Sequence, residues 1–182
     1  MTDSGIVLSN SHKIPILGLG VWHAKPELLH SLILEAICLG YRHFDCAADF
    51  KNEKEVGQAL AEFFRLGLVQ RSNLFITTKL WNSDHGHVWE ACEDSFKHLQ
   101  LDYLNFYLVH FPIATRHTDV GSTSSALDGD EVLDIDIMIS LETTWHAMED
   151  LIFVGLVQSI GISNYDILDP KLFGLLKKSS QQ

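Results

Sequence analysis

Apolar positions along this chain alternate between two rhythms, short unbroken runs and longer stretches that repeat every three to four residues. Gly5-Ile6-Val7-Leu8 and Lys13-Ile14-Pro15-Ile16 flank the polar Ser9-Asn10-Ser11-His12, which predicts a short hairpin. Its second arm runs on into Leu17-Gly18-Leu19-Gly20, a glycine-rich strand ending at Val21-Trp22. Four helical patterns follow. The first starts at Pro26, carries Leu29, Leu32, Ile33, Ala36 and Ile37 on one stripe, and ends at Gly40. The second is capped by Asn52, buries Val56, Ala59, Leu60, Phe63 and Phe64, and stops near Gly67. The third is capped by Asp84 and turns Val88, Ala91, Cys92, Phe96 and Leu99 inward. The fourth is capped by Ser140, with Leu141, Trp145, Met148 and Ile152 facing the core and Gly155 as its stop.

Between these helices lie apolar runs at Tyr41–Phe44, Leu74–Thr78, Leu104 with Tyr107–Val109, and Leu156–Ile162. Alternation of strand and helix predicts a parallel sheet, and the near-continuous apolar character suits strands buried on both faces. The pattern supports at most five strand–helix units; the fifth helix would have to start after Pro170. One connection, Phe111 to about Ile139, is long and rich in Thr, Ser, Gly and Asp. A loop of that length after a strand predicts a functional excursion or a disordered one.

Composition narrows the class without changing this picture. The net charge of -11 argues against a nucleic-acid partner. No apolar run is long enough for a membrane span, and the first residues lack the pattern of a signal peptide. Cys38, Cys46 and Cys92 form no Cys-x-x-Cys and predict buried thiols in a reducing compartment, which fits a cytoplasmic protein.

Three successive strands end in ionisable residues: Asp45, Lys79 and His110. Taken singly, Asp45 reads equally as a turn cap, Lys79 as a charge carried to solvent, and His110 as a satisfied core histidine. At equivalent places in a parallel α/β fold they point to one shared site, because strand C-termini converge there. A lysine beside an aspartate is costly to desolvate and so reads as functional rather than stabilising. Such a cation makes a neighbouring acid a better proton donor, and a histidine can orient a carbonyl oxygen. His85-Gly86-His87 has too few companions to predict a metal site.

Gly18-Leu19-Gly20-Val21-Trp22, Phe44-Asp45-Cys46-Ala47-Ala48-Asp49, Asn52-Glu53, Thr78-Lys79-Leu80-Trp81, Leu108-Val109-His110 and Gly161-Ile162-Ser163-Asn164 resemble the motifs of the aldo-keto reductases, in order and at similar spacing. Lys79–His85 and His110-Phe111-Pro112 resemble the plant-type branch that reduces sugar phosphates such as mannose 6-phosphate. The resemblance implies an α/β fold of TIM type, a (β/α)8 barrel closed below by an N-terminal hairpin. It implies NADPH as hydride donor and a small carbonyl compound, such as an aldose or a sugar phosphate, as acceptor. It assigns Asp45, Lys79 and His110 to catalysis, Ser163 and Asn164 to the nicotinamide carboxamide, and Trp22 and Trp81 to the walls of the substrate pocket.

Two departures accompany it. The family's catalytic tyrosine position is Phe50, which keeps the ring and lacks the hydroxyl. The resemblance also fades after Asn164-Tyr165. The expectation is therefore a partial barrel over residues 1–165, about five of eight units with the last third missing, and a divergent tail over 166–182. Carbonyl reduction is expected to be severely impaired. The alternative is a non-catalytic truncated variant acting as a binding or partner-interaction module. Open sheet edges at the first and fifth strands predict self-association or low stability.

Overall fold

The computed structural model describes residues 5–117 and 134–165. β1 (Gly5–Val7) and β2 (Lys13–Pro15) form the expected antiparallel hairpin. A five-stranded parallel sheet follows in chain order: β3 (Leu19–Gly20), β4 (His43–Asp45), β5 (Phe75–Leu80), β6 (Phe106–Val109) and β7 (Ile160–Ile162). The crossovers carry α1 (Pro26–Cys38), α2 (Glu53–Arg65), α3 (Val88–Leu99) and α4 (Leu141–Phe153). This is an α/β fold, five strands of a TIM-type barrel with its hairpin.

Strand order that follows chain order, with helical crossovers of one hand, curls a sheet toward a barrel. The hairpin spans the bottom of that curl. Asn10 Nδ2 donates to the Gln158 carbonyl at 2.8 Å, just before β7, and His12 Nδ1 lies 3.1 Å from the same oxygen. Among the described residues, β3 and β7 each pair on one side only. The core lies between helices and sheet, built from Leu29, Ile33, Phe44, Leu60, Phe63, Ile76, Leu99, Tyr107 and Met148, each essentially inaccessible to water.

The helix signals worked mostly as expected. Pro26 opens α1, and Ser140 Oγ accepts from the Thr143 backbone N–H at 3.1 Å, capping α4. Gly40, Gly67 and Gly155 take positive φ just past three helix ends. Four expectations are corrected. Asp84 caps no helix: it ends a 3-10 turn (Asn82–Asp84), α3 starts at Val88, and the Asp84 carboxylate meets His117 Nδ1 at 3.2 Å. Asn52 precedes α2 without a side-chain capping bond. Ile152 faces solvent, because the buried stripe of α4 runs through Thr144, Trp145, Met148 and Leu151. Cys38 is exposed at the end of α1, while Cys46 and Cys92 are buried and unpaired.

The long connection leaves β6 through a short antiparallel stem. Thr115 pairs with Ile135, and Arg116 Nε meets Asp134 Oδ2 at 3.0 Å. Residues 118–133, the helix expected after Pro170, and the tail 166–182 lie outside the described residues.

Candidate active site

Asp45, Lys79 and His110 arrive together because parallel strands start on one side of the sheet and finish on the other. Asp45 is the last residue of β4, Lys79 the penultimate residue of β5, and His110 follows β6 directly. In β5 side chains alternate faces, so Thr78 turns toward the helices and Lys79 toward the barrel interior. Lys79 Nζ donates to Asp45 Oδ1 at 2.7 Å and to the Cys46 carbonyl at 2.9 Å. The lysine side chain is 7% exposed and its carboxylate partner 37%. The pair is thus buried at the cation and wetted at the anion, which lowers its desolvation cost.

Phe50 ends a 3-10 turn (Ala48–Phe50) that follows β4. Its ring lies under the ammonium, with Lys79 Nζ 4.7 Å from the centroid. His110 meets the same ring edge-on at 6.0 Å. Trp81 is buried and stands 5.3 Å from the His110 ring. Trp22 is largely exposed and reaches the Phe50 ring at 6.4 Å. The Lys79 ammonium and the His110 imidazole are therefore framed by the aromatic rings of Phe50, Trp81 and Trp22.

Burial pushes the His110 imidazole down to about 4, and repulsion from Lys79 adds to this. It is neutral at physiological pH. Its Nδ1 is buried without a hydrogen-bond partner. Asn164 fixes the histidine from behind: its Nδ2 donates to the His110 carbonyl at 2.9 Å, and Asn164 itself takes a left-handed φ of 58°. Ser163, next to it, donates its backbone N–H to the Val109 carbonyl at 2.9 Å and bonds Asn164 Nδ2 through Oγ at 3.2 Å. The end of β7 is thereby tied to the end of β6, beside the histidine.

All eight residues singled out from the sequence lie at this end of the sheet. His85 and His87 do other things. His85 is buried, with Thr144 Oγ1 at 3.3 Å from Nδ1, and burial pushes its imidazole down to about 4. His87 stacks on His117 at 3.8 Å. Sequence reasoning missed Phe111, which stacks on His110 at 4.8 Å, and the Cys46 carbonyl as second acceptor for Lys79. A backbone carbonyl leaves no signal in residue types.

Comparison with known proteins shows the family and the fold. The model of the aldo/keto reductase family matches residues 16–171. An NADP-dependent D-sorbitol-6-phosphate dehydrogenase of Malus domestica is 56% identical over 164 residues, covering 90% of this chain and 53% of that protein. Aldose reductase B of Dictyostelium discoideum is 42% identical over 163 residues, 86% of this chain and 51% of its own length. The chain spans about half the length of these curated relatives. Among solved structures, the aldose reductase of Schistosoma japonicum superposes with a TM-score of 0.83 at 37% identity, covering 96% of this chain and 56% of the other. The Bombyx mori aldo-keto reductase in complex with NADP gives 0.77 at 36% identity, covering 96% and 54%. On the family match over residues 16–171 and the superposition on solved members, the chain belongs to the aldo/keto reductase family.

Proposed function

We propose that this chain carries a nicotinamide-dependent carbonyl site of the aldo/keto reductase type, suited to an aldose or sugar phosphate, in which reduction is severely impaired. The observation that carries this reading is the Lys79–Asp45 pair standing over Phe50 rather than over a hydroxyl. NADPH, when bound, supplies the hydride. Ser163 Oγ and Asn164 Oδ1, a hydroxyl and an amide oxygen at the end of β7, fit the carboxamide end of such a cofactor. Trp22 and Trp81 wall the substrate, and Asp45, Lys79 and His110 form the polar centre. His110, being neutral, orients a carbonyl oxygen by a hydrogen bond rather than by charge.

The step that fails is proton delivery. Reduction of a carbonyl leaves an alkoxide that needs a proton at once. The Phe50 ring has none to give, and neutral His110 is a weak acid. Positioned acid catalysis is worth about 10² to 10⁴ in rate, so its loss predicts binding without efficient turnover. The same observation favours a second reading, a site that only binds: a partner-interaction module of the family with no catalytic duty. The substrate class follows that of the Malus relative, a D-sorbitol-6-phosphate dehydrogenase. No helix among the described residues is long and apolar enough to cross a membrane. The reading includes a cytoplasmic setting, supported by the unpaired buried thiols Cys46 and Cys92, and self-association along the edges of β3 and β7.

Titration of the 182-residue chain with NADPH, followed by tryptophan fluorescence, tests it. Quenching that saturates, with aldose reduction far below that of a tyrosine-bearing relative, is the expected result. Absence of binding would overturn the nicotinamide reading in favour of the partner-interaction one.

A further inference from the structure

A glutamate at the first position of a helix is expected to face water and to favour the positive helix end. Glu53 opens α2 and so lies at that end, but it does not face water: it is 5% exposed. Thr78 Oγ1 donates to Glu53 Oε1 at 2.5 Å and Ser95 Oγ donates to Oε2 at 3.2 Å. The carboxyl therefore bridges α2 to β5 and to α3. Burying it costs free energy even with two donors, and desolvation accordingly raises its pKa. Asn52, 2% exposed, is equally committed: its Nδ2 donates to the Val21 carbonyl at 2.9 Å, at the end of β3.

These bonds close two circuits around Lys79. The first runs from Phe50 through Lys51 and Asn52 to Glu53, across to Thr78, along one residue to Lys79, and back to the Phe50 ring at 4.7 Å. The second runs from Asn52 to Val21, whose backbone N–H donates to the Asp45 carbonyl at 3.1 Å, then from Asp45 to Lys79. Lys51 sits at the bend with φ of 55°, so the turn between Phe50 and the helix is fixed rather than extended. Two of the three neighbours of the Lys79 ammonium, Asp45 and the Phe50 ring, are thus referred to one dipeptide.

We propose that Asn52 and Glu53 are positioning residues, which set Lys79 against Asp45 and Phe50 from outside the barrel. The proposal rests on the reading of Lys79 as the cation of the site. Its test needs neither cofactor nor turnover, so loss of NADPH binding would overturn that reading without touching the test.

The experiment labels the whole chain with 4-fluorophenylalanine and reads the ¹⁹F spectrum. The ten phenylalanines give ten signals, and that of Phe50 is the one lost in Phe50→Leu. Its shift depends on the ammonium over the ring. Glu53→Ala and Thr78→Val should each move the Phe50 signal by more than its linewidth. Glu53→Gln, whose amide oxygen still accepts from Thr78, should restore it. Met148→Ala opens a cavity beside α4, which supplies no residue to either circuit, and should lower the melting temperature without moving the signal. If Glu53→Ala does not fold, Thr78→Val reads the same link. A Phe50 signal that stays in place while the melting temperature falls in Thr78→Val and Glu53→Ala would overturn the proposal and leave the pair a purely structural role.

Discussion

Lys79 Nζ lies 4.7 Å from the centroid of the Phe50 ring while donating to Asp45 Oδ1 and to the Cys46 carbonyl. An ammonium carries three protons. Two meet oxygen, and the remaining face of the ammonium meets an aromatic surface. A cation over such a face gains about 0.5 to 2 kcal/mol, so the ring is held well. It offers nothing that ionises. The site keeps the cation that would tune an acid and lacks the acid.

Restoring the hydroxyl is the direct check. In Phe50→Tyr the new phenol shares a ring position already fixed beside Lys79, and a cation at that range holds a phenol below its usual pKa of about 10. Difference absorbance at 295 nm against the parent chain should titrate below pH 10, and NADPH-dependent reduction of an aldose should rise by about 10² to 10⁴. A phenol that titrates normally would show that Lys79 does not reach it. A shifted phenol without any gain in rate would place the obstacle elsewhere than at residue 50.

The sheet, the hairpin and the strand-end residues were legible because each has a local signature. Pro26, Ser140, Gly67 and Gly155 punctuate helices through backbone chemistry that acts within a few residues. Asp45, Lys79 and His110 were legible from their place at strand ends, before any distance was known. What stayed hidden depends on partners distant in the chain. Asp84 looks like a cap until His117, thirty-three positions on, takes its carboxylate. Glu53 enters the sequence reading only within the Asn52-Glu53 motif, and its burial depends on Thr78 and Ser95, which close over it. The stripe of α4 was read correctly at Trp145 and Met148 and missed only at its end, because Leu151 and Ile152 are equally apolar and only packing decides between them.

His110 makes a pH prediction with a definite sign. The folded imidazole is pushed down to about 4 by burial and by Lys79, while the unfolded one titrates near its ordinary value of 6.5. Between those values the unfolded chain binds more protons, so the contribution of His110 is complete above about pH 6.5 and is lost as pH falls toward about 4. Burial holds the carboxyls of Asp49, Glu53 and Asp84 above the usual carboxylate range, which acts in the opposite sense. A difference measurement removes them. His110→Asn should lose less stability than the parent chain between about pH 7 and about pH 4.5 in denaturant titrations. Parallel curves would mean that the His110 imidazole titrates alike in the folded and unfolded chain, so that burial and Lys79 do not depress it.

Gly57→Ala sets local propensity against packing. Within α2, alanine should gain about 1 kcal/mol over glycine from chain entropy alone. A Cβ built at Gly57 would lie 2.2 Å from the His98 carbonyl oxygen and 2.7 Å from the Leu99 carbonyl carbon. Both are backbone atoms of α3, which cannot rotate aside as a side chain would. The two helices must part, and overpacking of this kind costs about 1 to 3 kcal/mol. The clash outweighs the propensity, so the melting temperature should fall. Gly57 is one helical turn beyond Glu53, so separation of α2 from α3 also stretches the Ser95–Glu53 bond. A melting temperature that rises would mean that the spacing of α2 and α3 is soft, and that the buried glutamate cannot be fixing Lys79 through a rigid frame.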